Sequence, residues 1–339
     1  MKITDLHNKR VVISRTDSIG DVLLTLPMCA WIKSTYPTAT ILFLGKGYTK
    51  SVVECFDLVD EFIDWKTFEN QPRVEQIACF RDLNADAIIH VFPNKDIATL
   101  AKKVRVPVRV GTSHRSYHLL TCTHRPNFTR KRSDLHESQL NHELLRPFGL
   151  IEIPSLEEIS RAIAHFHAPN AHLPEFLSKA LQNDGKGIIL HPKSQGSARE
   201  WPMEKYIELT NELIKRDFTV FFTGTEAEGT SFRSQLPVHE RVIDTTGKLT
   251  LDELITFISN VDFLVACSTG PLHIAGYLGI NTIGFFVPKR PMHPGRWKAL
   301  GPNVNILVND PNCANCKKKG ECNCIADISV ERVIDLIND

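Results

Sequence analysis

The chain alternates short apolar, β-branched runs with stretches of helical periodicity, and it does so in two successive series. Strand-like runs of the first series are RVVISR (10–15), TILFLG (40–45), DAIIHVF (86–92) and VRVG (108–111). Those of the second are GKGIILHP (185–192), FTVFFTG (218–224), RVID (241–244), VDFLVAC (261–267) and NTIGFFVP (281–288). Apolar strands separated by helices are typical of a parallel sheet covered on both faces. The pattern predicts two doubly wound α/β domains in tandem, with a cleft between them.

The length supports this division, because 339 residues are enough for two domains with separate cores. Several prolines and no strong periodicity mark the stretch from about Pro154 to Pro174, which favours a linker there. We therefore assign residues 1–165 to an N-terminal domain, 166–325 to a C-terminal domain and 326–339 to a terminal helix.

Targeting signals are not evident in the sequence. The first residues, MKITDLHNKRVVIS, lack the apolar stretch and cleavage site of a signal peptide. No run reaches the roughly eighteen apolar residues that a membrane span needs. We therefore expect a cytoplasmic protein, and the nine cysteines do not suggest a secreted disulfide framework in a chain of this length.

Charge is unevenly distributed, although the formal net charge is only +1. No acidic residue occurs between Asp96 and Asp134. The basic residues there are Lys102, Lys103, Arg105, Arg109, Arg115, Arg125, Arg130, Lys131 and Arg132. This basic segment is either a solvated surface or a binding site for an anion such as a phosphorylated lipid headgroup or nucleic acid. Because Tyr117 and Phe128 are its only aromatic residues, base stacking is poorly supplied and we expect no nucleic-acid partner.

The segment SRTDSIGDVLLTLP (14–27) follows the first predicted strand and contains the pair Gly20 and Asp21. In open α/β sheets, ligands bind at the carboxyl ends of the strands, where helix N-termini offer unpaired N–H groups. Gly20 permits a tight turn there, and Asp21 is predicted to start the helix. Asp21 is therefore either a helix cap, since aspartate is a preferred N-cap residue, or a base directed toward a substrate.

A similar loop, STGPLHIAGYLG (268–279), closes a strand of the second series. Its small residues Ser268, Thr269 and Gly270 would let a phosphate approach the backbone at a helix start, although serine and threonine are also common helix caps. His273 falls in the first helical turn, where it either donates to a phosphate oxygen or is an ordinary packed histidine.

Three further loops of the second series follow predicted strands and offer polar side chains. The candidates are Lys193, Ser194 and Arg199 in HPKSQGSAREWP (191–202), Glu226 in FTGTEAEG (222–229), and Lys248 in TTGKLTLDEL (245–254). Cations and hydroxyls can hold a diphosphate, and an acid at this edge commonly binds ribose hydroxyls. No G-x-G-x-x-G follows the first strand and no G-x-x-x-x-G-K-[ST] occurs, so the sequence supports neither a Rossmann dehydrogenase nor a P-loop enzyme.

Four cysteines near the C-terminus, in CANCKKKGECNC, have the spacing C-x2-C-x5-C-x-C. They are Cys313, Cys316, Cys322 and Cys324. Four thiolates this close could bind one structural zinc ion; an iron–sulfur cluster and reduced free thiols are the alternatives.

The ordered motifs SRTDSIGDVLLTLP, REWP, GTEAE, TTGKLTLDEL and STGPLHIAGYLG resemble those of bacterial glycosyltransferase family 9, the heptosyltransferases that build the lipopolysaccharide inner core. The resemblance runs from residue 10 to about 290. It implies the GT-B fold, an ADP-heptose donor bound by the C-terminal domain, and an inverting transfer that needs no metal or other cofactor. The acceptor implied is an anionic lipid-linked saccharide, which would place the protein at the inner face of the cytoplasmic membrane.

The resemblance also assigns roles to individual residues. Asp21 matches the family's catalytic acidic residue, Arg199 stands where a lysine commonly contacts the diphosphate, and Glu226 matches the ribose-binding acid. Thr269, Gly270 and His273 match the phosphate-binding turn, with Lys193, Ser194, Lys248 and Ser268 as further donor contacts. On the acceptor side we place Gly20, Arg105, Arg109, Arg115 and Arg130.

One position departs from the family pattern. Well-studied members have an aspartate before the Thr-Gly pair, where it contacts the donor sugar, and this chain has Ser268. The departure puts heptose in doubt more than it does the enzyme class. The alternatives are a sugar-nucleotide epimerase of similar architecture and a non-catalytic protein that binds a nucleotide sugar or nucleic acid.

Overall fold

The computed structural model describes residues 3–131, 133–317 and 322–338. The chain forms two compact units, residues 1–167 and 168–339. Within the described residues, no helix combines the length and apolar character needed to cross a bilayer.

The first unit is built on a parallel sheet of order β3-β2-β1-β4-β5. Its strands are β1 (Arg10–Ser14), β2 (Thr40–Gly45), β3 (Glu61–Asp64), β4 (Ala87–His90) and β5 (Val108–Val110). The strands carry apolar side chains on both faces, and one face packs against a core that includes Trp65, Phe68 and Phe80. Such burial on both faces is what a sheet covered by helices requires.

The helices of the first unit alternate with these strands. They are α1 (Ile19–Leu23), α2 (Leu26–Thr35), α3 (Lys50–Glu54), α4 (Lys66–Glu69), α5 (Arg73–Asp82), α6 (Lys95–Lys103), α7 (His118–Thr121), α8 (Glu137–His142) and α9 (Leu156–Ser160). Short 3₁₀ segments occupy Gly47–Thr49, Glu143–Phe148 and Arg161–His165. The first helix predicted from the sequence is interrupted between α1 and α2, because Pro27 has no N–H to donate to the carbonyl of Leu23.

The second unit contains a parallel sheet of order β11-β10-β9-β6-β7-β8. Its strands are β6 (Gly187–His191), β7 (Thr219–Phe222), β8 (Val242–Asp244), β9 (Phe263–Cys267), β10 (Asn281–Phe285) and β11 (Val304–Leu307). The two parallel α/β sheets confirm the predicted fold class.

The second unit's helices are α10 (Glu175–Ala180), α11 (Met203–Ile214), α12 (Glu226–Phe232), α13 (Leu251–Ile258), α14 (Gly270–Tyr277), α15 (Pro294–Trp297), α16 (Ala314–Lys317) and α17 (Val330–Asn338). A 3₁₀ segment covers Arg233–Gln235. The terminal helix α17 packs against α11, and its Val333 belongs to the same apolar core as Trp201 and Phe285. The segment 326–339 is therefore part of the second unit rather than a separate element.

Each sheet has one point at which the strand order reverses. In the first unit the chain leaves β1 toward β2 on one side, while β4 lies on the other side of β1. In the second unit, β7 and β9 flank β6 in the same manner. The loops that leave adjacent strands at such a point diverge and open a crevice at the carboxyl edge, where open α/β sheets bind their ligands. The two loops that begin after Ser14 and after His191 both start at these points.

Candidate functional site

Asp21 lies in the first turn of α1, as its third residue. The N-cap is Ser18, whose backbone is extended, so α1 begins two residues before Asp21 and the prediction that Asp21 starts the helix is wrong. The Asp21 carboxylate accepts a hydrogen bond from the Ser18 hydroxyl through Oδ2 and pairs with Arg15 through Oδ1. Because Ser18 occupies the cap position, the capping interpretation does not explain Asp21.

Arg15 organises the acidic groups around Asp21. Its side chain is only 3% exposed, and its Nε lies 2.7 Å from Asp17 Oδ1 while Nη1 lies 3.5 Å from Glu137 Oε1. Burial acts against the charge on Arg15, but the carboxylates of Asp17, Asp21 and Glu137 outweigh it and raise the pKa of Arg15. The guanidinium therefore stays charged and holds the Asp21 carboxylate, which is 19% exposed, in one orientation.

Asp17 is the second carboxyl group that Arg15 holds at this edge. Burial raises the pKa of Asp17 to about 7, and the neighbouring Asp21 charge adds to this, while Arg15 opposes it. Two carboxyl groups with different environments thus share one guanidinium. Of these residues, only Asp21 was predicted from the sequence; the polar run RTD directly after an apolar strand could have indicated Arg15 and Asp17 as well.

Two buried polar side chains that were not predicted from the sequence lie at the strand ends beside this crevice. Ser14 and His90 are register partners at the ends of β1 and β4, and both are buried. Among the described residues, no hydrogen-bond partner is found for either ring nitrogen of His90 or for the hydroxyl of Ser14. Burial lowers the pKa of His90 to about 3, so the ring is neutral at physiological pH.

The basic segment does not act as one surface. Arg109 donates through Nε to the Thr121 carbonyl at 2.6 Å, and Arg130 Nε lies 2.9 Å from Glu137 Oε1. Arg105 is exposed but precedes β5, at the amino edge of the sheet, opposite the edge that carries Asp21. The structure therefore does not bring Arg105 to the Asp21 edge, since parallel strands place residues before and after them at opposite edges. Arg132 lies outside the described residues.

Arg115 follows β5 at the carboxyl edge and is exposed. The next element, α7, carries two exposed leucines, Leu119 and Leu120, with relative exposures of 61% and 74%. Two adjacent exposed leucines thus lie close in sequence to the exposed Arg115.

In the second unit, the loop 192–202 leaves β6 and folds around Glu200. Lys193 Nζ lies 3.0 Å from Glu200 Oε2, and Ser194 donates to Oε1 through both its backbone N–H (2.9 Å) and its hydroxyl (3.0 Å). Burial acts to raise the pKa of Glu200, but these hydrogen bonds prevail and lower it. Glu200 was not predicted from the sequence, yet its carboxylate holds the side chains of Lys193 and Ser194, which were predicted.

Arg199 lies in the same loop but contacts the cysteine group. Its Nη1 lies 2.8 Å from Cys322 Sγ and 3.2 Å from the Cys322 carbonyl oxygen. The sequence placed Arg199 beside the diphosphate-binding residues, and 123 residues separate it from Cys322. The Sγ atoms of Cys313, Cys316, Cys322 and Cys324 all lie within 4.8 Å of one another.

Glu226 and the Gly-Lys turn meet at the ends of β7 and β8. Arg233 donates to both carboxylate oxygens of Glu226 at 2.9 Å, and its Nε lies 2.5 Å from Asp244 Oδ2. Arg233 lowers the pKa of Glu226, so this exposed carboxylate is ionised. A Cβ at Gly247 would lie 2.6 Å from Glu226 Oε2, which shows how closely the turn approaches this acid. Lys248 Nζ donates to the Asp244 carbonyl at 2.7 Å.

The loop after β9 places small residues at the start of α14. Thr269 is the N-cap by backbone geometry, but its side chain accepts no hydrogen bond from the helix N–H groups, and its hydroxyl donates to the Cys267 carbonyl at 3.2 Å. In the described structure the Thr269 side chain therefore does not cap the N–H groups of Gly270 and Leu272, while Pro271 between them has no N–H. Ser268 is half-buried, and His273 lies buried within the helix.

Taken by unit, the predicted donor residues lie in loops at one edge of the second sheet, with Arg199 directed away toward the cysteines. Asp21 and Gly20 lie at the carboxyl edge of the first sheet. Arg115 shares that edge, whereas Arg109 and Arg130 are engaged within their own unit.

The sequence matches a known protein family. The family model for glycosyltransferase family 9 (heptosyltransferase) matches residues 80–325. A Haemophilus influenzae protein is 26% identical to this chain over 299 residues, which cover 86% of each chain. Its name describes it as a glycosyltransferase and states no substrate.

Solved structures show the same fold. A family 9 glycosyl transferase from Veillonella parvula superposes with a TM-score of 0.80 at 20% identity, covering 99% of this chain and 98% of the other. The structure of Escherichia coli heptosyltransferase WaaC with ADP superposes with a TM-score of 0.72 at 18% identity, covering 97% of this chain and 99% of WaaC. The iron-containing dodecameric glycosyltransferase TibC of E. coli superposes with a TM-score of 0.60 at 14% identity, covering 100% of this chain and 77% of TibC. These likenesses confirm two parallel-sheet α/β domains of the GT-B type.

Proposed function

The chain belongs to glycosyltransferase family 9, and from this premise we propose that it transfers heptose from ADP-heptose to a lipopolysaccharide core or related saccharide, with inversion at the anomeric carbon. The observation that carries the proposal is the Asp21 carboxylate, which the buried Arg15 and the Ser18 hydroxyl hold at the reversal point of the first sheet. A carboxylate fixed at that position is suited to act as a base.

The chemistry requires a base because a sugar hydroxyl is a weak nucleophile at neutral pH. The acceptor oxygen would attack the anomeric carbon as the bond from that carbon to the diphosphate oxygen breaks. Asp21 would take the hydroxyl proton, and the electron pair of the broken bond would leave with ADP. Arg15 supports this role because it holds the Asp21 carboxylate in one orientation.

The second unit would bind the donor. The N–H groups at the start of α14 and the Lys193 ammonium would stabilise the charge that develops on the departing diphosphate. Glu226, ionised and beside the Gly247 turn, would accept hydrogen bonds from the ribose hydroxyls. WaaC is described with ADP, which supports an adenine nucleotide here. Ser268, which stands where the family has aspartate, would face the transferred sugar.

Metal chemistry has no part in this proposed step, since lysine and helix N–H groups can neutralise the leaving group. The four cysteines form a separate set, and four thiols within 4.8 Å are suited to a structural ion.

The acceptor side would contact an anionic lipid surface through Arg115, Leu119 and Leu120. The two exposed leucines would enter the interface while the arginine pairs with phosphate groups. We therefore propose that the reaction takes place at the inner face of the cytoplasmic membrane.

The donor assignment is tested by calorimetric titration with ADP, UDP, GDP and CMP in turn, without added metal. We expect selective binding of ADP, abolished in Glu226→Ala. Preference for another nucleotide would overturn the ADP assignment and keep the fold. Consumption of ADP-heptose to a new nucleotide sugar without an acceptor would instead support an epimerase.

A further inference from the structure

The four cysteines form a compact thiol cluster, whose geometry fits one tetrahedral ion. Cys316 Sγ lies 3.0 Å from Cys322 Sγ and 3.8 Å from Cys324 Sγ. With zinc–sulfur bonds of about 2.3 Å, neighbouring sulfurs of a tetrahedral site lie about 3.8 Å apart. Small movements of the side chains would therefore complete the coordination.

Among the described residues, the thiol cluster packs against an apolar core. Cys313, Cys316 and Cys324 are buried in the same core as Trp201, and Cys322 is half-buried beside it. An ion bound by four thiolates carries a net charge of −2 if it is divalent, and burying that charge is costly without a positive partner.

Arg199 is placed to supply that positive charge. Its guanidinium donates to Cys322 Sγ at 2.8 Å and to the Cys322 carbonyl at 3.2 Å. A guanidinium donates more strongly to a thiolate than to a thiol, because a charged acceptor strengthens a hydrogen bond about twofold. The contact therefore fits the metal-bound form of the cysteine.

The same loop is joined to the cysteine region by its next residues. Trp201 Nε1 donates to the Ile328 carbonyl at 3.0 Å. Glu200, between Arg199 and Trp201, binds Lys193 and Ser194. The contacts of these three consecutive residues thus connect the thiol cluster to the loop that leaves β6 at the reversal point of the sheet.

We propose that Arg199 is the positive partner of a zinc–tetrathiolate centre and that the bound ion fixes the 192–202 loop through it. Arg199 is then a positioning residue rather than a diphosphate contact, and Lys193 is the loop's cation for the donor. Only this last consequence rests on the proposed function; the metal centre and its link to the loop do not.

The test measures metal binding directly, without turnover. Protein purified without oxygen is assayed for bound metal, stripped under reducing conditions and titrated with Co²⁺, whose thiolate absorption reports coordination. We expect one tetrahedral ion per chain, lost in Cys322→Ser. Arg199→Met should weaken Co²⁺ binding about tenfold, the typical effect of losing a partner of a metal ligand. Arg199→Lys should recover part of this.

Arg241→Met is the matched control, because Arg241, like Arg199, donates to backbone carbonyls, here those of Asp184 and Asp217, but contacts no cysteine in the described structure. Circular dichroism verifies that each variant is folded. Hydrogen exchange of peptides spanning 192–202 should rise when the ion is removed from the wild-type protein and, with Co²⁺ bound, should be faster in Arg199→Met than in wild type.

Three results would overturn the proposal. The first is a reduced protein that binds neither Zn²⁺ nor Co²⁺, and the second is a Cys316–Cys322 disulfide in the anaerobically purified chain. The third is an Arg199→Met variant with wild-type Co²⁺ affinity and unchanged exchange in the loop. Because none of these measurements uses a nucleotide, they are independent of whether ADP binds.

Discussion

At the scale of single residues, His90 shows how burial determines protonation. Its ring is 1% exposed, and within the described structure neither nitrogen has a hydrogen-bond partner. An unpaired buried polar group costs about 1–3 kcal/mol. Burial also lowers the pKa of His90 from 6.5 to about 3, so the folded ring stays neutral while the unfolded ring protonates below about pH 6.5.

These facts give a prediction for His90→Leu. Between pH 6.5 and about pH 3, His90 binds a proton in the unfolded state and not in the folded state. His90 therefore lowers the free energy of unfolding progressively as pH falls through this window. At pH 5 the loss is about 2 kcal/mol, from 1.36 kcal/mol per pH unit. The leucine variant should therefore gain more stability at pH 5 than at pH 7.5 in urea unfolding. Exposed His172 gives the control, His172→Leu, and an equal pH dependence in wild type and His90→Leu would contradict the account.

The candidate site was predictable only in part at this scale. Asp21 and the 268–270 turn follow apolar strands and could be found from that position alone. Arg15 and Glu137 could not be connected, because 122 residues separate two charges that meet only in the folded unit. The contact of Arg199 with Cys322 could not be predicted for the same reason, because 123 residues separate the two.

At the scale of elements, the central strands and the edge strands β5 and β8 were predictable, whereas the other two edge strands were not. The edge strands β3 and β11 were missed because EFID and VNIL are short, interrupted by polar residues and partly exposed, so they have no continuous buried run. The central strands are buried on both faces and therefore give the strongest pattern.

The turn after β8 gives an element-scale prediction. Gly247 has φ of 71°, and a Cβ there would lie 2.6 Å from Glu226 Oε2. Gly247→Ala should displace the Glu226 carboxylate and weaken ADP binding several-fold. Gly279 has nearly the same φ, 73°, with nothing within 4 Å of an added Cβ, so Gly279→Ala carries the same backbone strain without the clash. Equal ADP affinities in the two variants would remove Glu226 from the donor site.

Helix α7 gives a second prediction. Replacing Leu119 and Leu120 with serine should reduce binding to anionic phospholipid vesicles about tenfold, because each exposed leucine contributes up to about 1.5–3 kcal/mol when fully buried. Co-sedimentation measures the effect. Ile151→Ser, at an equally exposed apolar position of the same unit, should leave binding unchanged; unaltered binding in the double variant would exclude α7 as the lipid contact.

At the scale of the whole molecule, the two sheets have the same doubly wound plan with different chemistry at their reversal points. The first presents carboxylates around a buried arginine, and the second presents backbone N–H groups, Lys193 and hydroxyls. The first suits proton removal and the second suits an anionic leaving group. Periodicity predicted both sheets, but the division of chemistry between them came from the residues at the strand ends.

The most direct measurement is the rate of transfer from ADP-heptose to heptose-deficient lipopolysaccharide by Asp21→Asn, compared with wild type and with Asp5→Asn as a surface control. Asparagine keeps the shape of the side chain, and Arg15 retains Asp17 and Glu137 as partners, so the unit should stay folded. The account predicts a rate lower by at least about 10²-fold, as expected for loss of a general base, with ADP affinity unchanged. Transfer at the wild-type rate would contradict the assignment of Asp21 as the base.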